Sequence, residues 1–256
     1  MLKGLKSRLK KNKLTIGSWL QIGSPAVAEI MAQAGFDWLV VDMEHSAISI
    51  DNAQSLIQVI DLAGCVPLVR LSSNDATLIK RVMDAGSHGI IVPNVNSADE
   101  AVAAVEAVRY PPDGVRGVGL WRAQGYGLDF DTYKQWQASE SLVIVQIEHI
   151  EAVKNLEAIL DIEGVNGFII GPYDLSASLG VPGDFEAPDF RAAINKIYRI
   201  AKQKSAVMGI HVVMPDVSAV KKRIEEGYRF IALGIDTLFL GCSCRDCLKA
   251  IKRSDG

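Results

Sequence analysis

Asp42, Glu44 and His45 fall within four residues at the end of the apolar run from Phe36 to Val41. These residue types suit acid–base and charge-stabilising chemistry: an imidazole titrates near neutrality, while carboxylates orient it, balance a cation or hold a metal. The stretch also fits a solvated loop with an incidental histidine. What separates the two readings is whether other segments deliver complementary groups, and several do. The run Val66-Pro67-Leu68-Val69 ends in Arg70, a fixed cation suited to stabilising an oxyanion on a carbonyl compound; a salt bridge to Asp42 or Glu44 is the alternative. A later apolar run ends in Gln146 and Glu148, and the next is followed by Gly171-Pro172-Tyr173-Asp174.

Glu148 and Asp174 would sit at the ends of neighbouring strands, about 4.8 Å apart in backbone, so that both carboxylates converge. Two such groups repel unless a proton or cation lies between them. An oxygen donor set with room for water and substrate suits Mg2+ or Mn2+, although balance by an arginine remains open. His45 is the candidate general base, and a carboxylate would raise its basicity; Asp84, late in the helix after the third strand, is placed to serve. His88, His149 and His211 read as structural histidines. No lysine falls in or at the end of a strand candidate, which argues against Schiff-base chemistry. Neither a Gly-x-Ser-x-Gly elbow nor a P-loop is present.

The elements that must position these groups alternate along the whole chain. Strands are predicted at Thr15 to Leu20, Trp38 to Asp42, Pro67 to Arg70, Gly89 to Pro93, Leu142 to Glu148, Gly167 to Gly171, Val207 to Val212 and Phe230 to Gly234. Amphipathic helical patterns lie between them, including Pro25 to Ala34, Ala76 to Ala85, Ala98 to Val108, Ala152 to Leu160, Phe190 to Lys204 and Val217 to Glu226. Gly35, Gly86 and Gly227 each close a helical run and lead directly into a strand. With no linker or composition break, the expectation is one (β/α)8 barrel over residues 1–256, a common length for that fold. The long irregular stretch from Tyr110 to Asp129 is expected to be a lid over the barrel mouth, offering Trp121, Arg122 and Tyr126 to ligand.

Composition excludes other classes. A net charge of -3 gives no basis for nucleic-acid binding, and no apolar run reaches the ~20 residues of a membrane span. The basic N-terminal cluster of Lys3, Lys6, Arg8, Lys10, Lys11 and Lys13 lacks a following apolar segment, so it reads as a solvated helix capping the barrel bottom rather than a secretory signal. A cytoplasmic location and free thiols are expected. Cys242, Cys244 and Cys247 have soft-metal spacing, but no fourth ligand adjoins them.

Taken together, Ala34-Gly35-Phe36-Asp37-Trp38, Asp42-x-Glu44-His45, Val69-Arg70, Tyr110-Pro111-Pro112-x-Gly114-x-Arg116-Gly117, Gln146-Ile147-Glu148 and Gly171-Pro172-x-Asp174-Leu175-Ser176 resemble the HpcH/HpaI aldolases over nearly the full length. The resemblance implies a barrel that binds a divalent ion (Mg2+ or Mn2+, with Co2+ an option) and cleaves or forms 4-hydroxy-2-oxo acids through a pyruvate enolate. It assigns His45 as base, Asp84 as the residue raising its basicity, and Arg70 as stabiliser of developing charge. Glu148 and Asp174 would hold the metal. Gln146, Gly171, Arg70 and the backbone at Tyr173 and Asp174 would contact pyruvate, with Asp42 and Glu44 secondary. The implied partners are pyruvate, a hydroxy-oxo acid and an aldehyde. The implied assembly is a homo-oligomer, typically a hexamer exchanging its last helix. Trp121 departs from the small residue of the family and would reshape the aldehyde side. A metal-free sugar-phosphate isomerase or a non-catalytic barrel is the alternative on the same fold, the former requiring a phosphate site after strands seven and eight.

Overall fold

The computed structural model describes residues 4–254. Eight parallel strands close into a barrel in sequence order: β1 (Thr15–Leu20), β2 (Trp38–Asp42), β3 (Val66–Arg70), β4 (Gly89–Val92), β5 (Leu142–Ile147), β6 (Gly167–Ile170), β7 (Met208–Val212) and β8 (Phe230–Ile235). The helices are α1 (Leu5–Lys10), α2 (Pro25–Gln33), α3 (Ile50–Leu62), α4 (Ala76–Asp84), α5 (Ala98–Val108), α6 (Phe130–Glu140), α7 (Ile150–Lys154), α8 (Leu156–Leu160), α9 (Pro172–Ser178), α10 (Pro188–Lys204), α11 (Val217–Glu225) and α12 (Asp236–Ser254). The strands agree with the sequence expectation to within a residue at either end, because short β-branched runs bounded by glycine leave little choice of register. The helix expected over residues 152–160 is instead two short ones, α7 and α8, meeting at Asn155.

Strand alternation sorts the side chains into two layers. One set, including Trp38, Val40, Leu68, Ile91, Ile144, Ile169 and Phe230, fills the barrel interior; the other, including Leu39, Val41, Val69, Val143 and Val145, packs beneath the helices. Trp38 stacks on Phe230 with ring centroids 4.0 Å apart. That packing depends on Gly17, where a Cβ would come within 2.1 Å of the Trp38 ring. The bottom of the barrel is closed by α1, which inserts Leu5 and Leu9 among the interior residues. The expectation of a fully solvated cap needs correction: Lys6 is buried, donates from Nζ to the Ser141 carbonyl at 2.8 Å, and is brought down to about 8 by burial and the charges of Lys10 and Arg109. Lys3 lies outside the described residues.

Reading inward positions upward, Trp38-Val40-Asp42, Val66-Leu68-Arg70 and Leu142-Ile144-Gln146 each end in a polar group at the C-terminal mouth. Along these three strands the inward positions are apolar where the interior is sealed and polar where it opens.

Candidate active site

The mouth holds a cavity of about 380 Å³ walled by Asp42, His45, Arg70, Gln146, Gly171 and Asp174, together with Trp19, Tyr173 and His211. Arg70 is its electrostatic centre. Nε and Nη2 donate to the two oxygens of Asp42 at 2.9 and 2.7 Å, Nη1 lies 3.1 Å from Glu44 Oε2, and the guanidinium stacks over Trp19 at 4.4 Å. Register makes this pairing direct, since Asp42 and Arg70 are partners across the β2–β3 ladder. Burial pushes the Asp42 carboxyl up, but the hydrogen bonds and charge of Arg70, with help from Gln21, outweigh it and hold Asp42 below the usual range. For Glu44 burial wins over Arg70, and the nearby charge of Glu148 adds to it, so its pKa is raised.

Glu148 is buried and Asp174 is exposed at the rim. Oε1 of Glu148 accepts from the Asn94 backbone N–H at 2.7 Å, and Gln146 Nε2 donates to Oε2. Gly171 shapes this corner, because a Cβ there would meet Glu148 Oε2 at 2.8 Å. Burial raises the Glu148 pKa, and the Asp174 charge adds to the rise against the hydrogen bonds that oppose it. A buried carboxylate facing a second one with its ionisation suppressed is a site short of positive charge. Hard oxygen donors, one fixed by hydrogen bonds and one free at the rim, fit a divalent ion with water or substrate completing its shell. No group of three or more His, Cys, Asp or Glu side chains stands in metal-holding geometry among the described residues.

His45 stands at the edge, its side chain 60% exposed and Nε2 3.9 Å from Glu44 Oε2. Asp84 is not brought to it within the chain. That carboxylate accepts from Arg116 Nη2 and from Gln124 Nε2, two groups the 110–129 segment carries to the end of α4. The lid expectation fails for the same reason. Trp121 Nε1 donates to Gln54 Oε1 on α3 at 2.6 Å, and Arg122 binds Asp61 and the Ala85 carbonyl. Tyr126 packs against Trp121 and lines an outer cavity with Leu62 and Trp136. The segment therefore lies along the outside of α3 and α4, anchored by buried Arg116 and Tyr133, and none of its residues walls the mouth.

His88 and His149 are structural as read: the first is buried 3.4 Å from Asp61 Oδ1 and against Trp136, the second caps α7 through Nδ1. His211 is different. It lies on the mouth wall beside Trp19, and counting alternate residues Gly209, His211 and Val213 down β7 would have placed it there. Gln21, which donates to Asp42 Oδ2 at 2.9 Å, and Asn94 also went unnoticed in the sequence. The ends of β7 and β8 present Val213 and Ile235 to the cavity, apolar groups unsuited to a phosphate.

A (β/α)8 barrel with acids, an arginine and a histidine gathered at its C-terminal mouth is an enzyme architecture. The HpcH/HpaI aldolase/citrate lyase family matches residues 15–241. A hydroxypyruvate/pyruvate aldolase of Paraburkholderia phytofirmans is 40% identical over 255 residues, 97% of each chain. A 4-hydroxy-2-oxo-heptane-1,7-dioate aldolase of Escherichia coli is 41% identical over 242 residues, 94% of this chain and 91% of that one. A crystal structure of an HpcH/HpaI aldolase/citrate lyase family protein from Burkholderia cenocepacia superposes with a TM-score of 0.92 at 35% identity, covering 98% of this chain and 100% of the other. The chain belongs to the HpcH/HpaI aldolase/citrate lyase family and is a carbon–carbon lyase of the aldolase class.

Proposed function

We propose that the protein is a divalent-cation-dependent pyruvate aldolase that cleaves or forms 4-hydroxy-2-oxo acids. The observation that carries this reading is Asp174 and Arg70 on the wall of one cavity, with the buried Glu148 carboxylate just behind that wall, against Gln146 and Gly171 and within the field of both charges. Glu148 and Asp174 would hold the ion, with Mg2+ or Mn2+ best suited to the oxygen donors and Co2+ compatible. When bound, such an ion supplies Lewis acidity to the carboxylate and keto oxygens of a 2-oxo acid and favours its enolate.

The chain's own groups do the rest. Gln146 fixes the Glu148 carboxylate, while the first-turn N–H groups of Tyr173 and Asp174, which lack helix acceptors, would receive the pyruvate carboxylate beside Gly171. His45 would take the proton of the 4-hydroxyl, through a water molecule. The C3–C4 bond then breaks, its electron pair passing to the pyruvate enolate as the aldehyde carbonyl forms. Arg70, locked by Asp42 and Glu44, places fixed positive charge beside the developing oxyanion without reorganising. A proton returned to C3 completes pyruvate. Relatives named for hydroxypyruvate/pyruvate and 4-hydroxy-2-oxo-heptane-1,7-dioate support pyruvate as the shared product.

No helix among the described residues is long and apolar enough to cross a membrane. Exposed Leu240, Leu248 and Ile251 form one face of α12 together with Cys244 and Cys247. This apolar stripe supports a homo-oligomer in which α12 packs on a neighbouring barrel, and sedimentation would test the hexamer implied by the family resemblance. For the activity, release of pyruvate from a 4-hydroxy-2-oxo acid is expected to stop with EDTA and return with Mg2+ or Mn2+. Release that ignores EDTA would remove the cation, and no release would remove the aldolase.

A further inference from the structure

The β1–β8 ladder carries a bulge: Gly17 pairs with Ala232 but Trp19 pairs with Ile235, so Leu233 and Gly234 together face Ser18. Their carbonyls need other donors. Ser18 Oγ lies 2.7 Å from the Leu233 oxygen and 3.2 Å from that of Gly234, and His211 Nε2 lies 3.0 Å from the Gly234 oxygen. A carbonyl only accepts, so Nε2 carries the proton and Nδ1 presents a lone pair. Burial brings the imidazole down to about 4, with the Arg70 charge acting in the same direction against the Gly234 bond, which leaves the ring neutral at physiological pH.

Among the described residues Nδ1 has no hydrogen-bond partner, and the ring that carries it lines the mouth cavity. The 380 Å³ cavity shares part of its wall with an adjoining one of about 460 Å³. His211 stands at the junction with Tyr173 and Val213. With pyruvate held beside Gly171 and Asp174 as proposed above, the wall left for the aldehyde includes His211 among Trp19, Val213 and Ile235.

We propose that His211 Nδ1 accepts a hydrogen bond from a hydroxyl group on the acceptor aldehyde, making His211 a specificity-determining residue that favours 2-hydroxyaldehydes over alkyl aldehydes. The inference rests on the pyruvate aldolase reading. An acceptor fixed among apolar neighbours rewards an O–H donor, and it is left desolvated and unpaired by an alkyl chain of the same size. The Gly234 bond sets the tautomer, so the polarity of the preference is built into the β8 bulge.

The test compares glycolaldehyde with propanal, which have the same number of heavy atoms, as acceptors for pyruvate in the cation-loaded enzyme. The ratio of their kcat/KM values is expected to fall about tenfold in both His211→Leu and His211→Phe, the order of one neutral hydrogen bond lost. His211→Asn, which keeps an acceptor oxygen, should recover part of the ratio. Either apolar variant suffices if the other does not fold, and Ser18 still serves the Gly234 carbonyl in both. A ratio within twofold of wild type in a folded apolar variant overturns the proposal. Exchange of the pyruvate methyl protons with D2O, run without aldehyde, separates the two levels: a wild-type enzyme that exchanges but shows no loss of preference on substitution refutes the role of His211 alone. A wild-type enzyme that does not exchange refutes the aldolase reading and this inference with it.

Discussion

Replacing Glu148 by Gln separates the cation's contribution to stability from that of the fold. Glu148 is buried with its ionisation disfavoured by desolvation and by Asp174, so the metal-free protein carries a repulsive pair that a bound ion would relieve. An ion present at one hundred times its dissociation constant stabilises the native state by about 2.7 kcal/mol. For a chain of 256 residues, at about 2–4 °C per kcal/mol, that is a rise in Tm of roughly 5–10 °C. The carboxamide of Glu148→Gln can still accept from the Asn94 N–H, and Gln146 can turn its amide to match, so the local hydrogen bonds survive. The prediction for thermal melts in EDTA and in Mn2+ is therefore double: the wild type gains the rise and the variant does not, while in EDTA the variant melts at or above the wild type because a buried charge is gone. A variant that keeps the rise, or that melts well below the wild type in EDTA, would refute the reasoning, since Glu148 would then be balanced by groups other than an ion. Asp174→Asn should lose the rise as well.

Further expectations follow from the same geometry. His45→Ala, at an exposed position, should change stability by no more than about 0.5 kcal/mol yet lower kcat by at least about 100-fold with little change in pyruvate affinity, as steady-state kinetics with a binding titration will report. Asp42 has a depressed folded pKa, so its ion pair contributes stability above the ordinary carboxylate value of 3.8 that is lost as pH falls through the depressed one. Asp42→Asn should flatten that acid limb of the stability curve and cost about 3 kcal/mol at neutral pH, the lower end of the range for a broken buried pair because Glu44 still faces Arg70. Leu9→Ala empties the plug at the barrel bottom and should lower urea stability by about 2–5 kcal/mol while leaving kcat intact in the folded enzyme.

The barrel was legible because its signals are local. Runs such as Trp38 to Asp42 are short, β-branched and closed by polar residues, and glycines at 35, 86 and 227 take positive φ (92, 102 and 98) where each helix turns into a strand. Strand ends fix where a side chain points, so Asp42, Arg70, Gln146 and Glu148 could be placed by counting alternate residues. Asp84 and the 110–129 segment could not. Their positions depend on Arg116 reaching back 32 residues to Asp84 and on Arg122 reaching 61 residues to Asp61, contacts with no periodicity to announce them. A glycine-rich loop such as this one, between α5 and α6, looks the same in sequence whether it crosses the mouth or lies along the flank. His211 was within reach of the alternation rule, but a histidine inside a strand reads equally as a satisfied interior residue, and the β8 bulge that exposes its purpose comes from pairing with β1.

In the proposed reaction Glu148 and Asp174 hold a cation which, with Arg70, stabilises a pyruvate enolate. Exchange of the pyruvate methyl protons with D2O, followed by proton NMR without aldehyde, tests it most directly. Exchange should vanish in EDTA, return with Mg2+ or Mn2+, and be absent from Glu148→Gln and Asp174→Asn; exchange at the wild-type rate in EDTA, or in either variant, would contradict cation-assisted enolisation at these carboxylates.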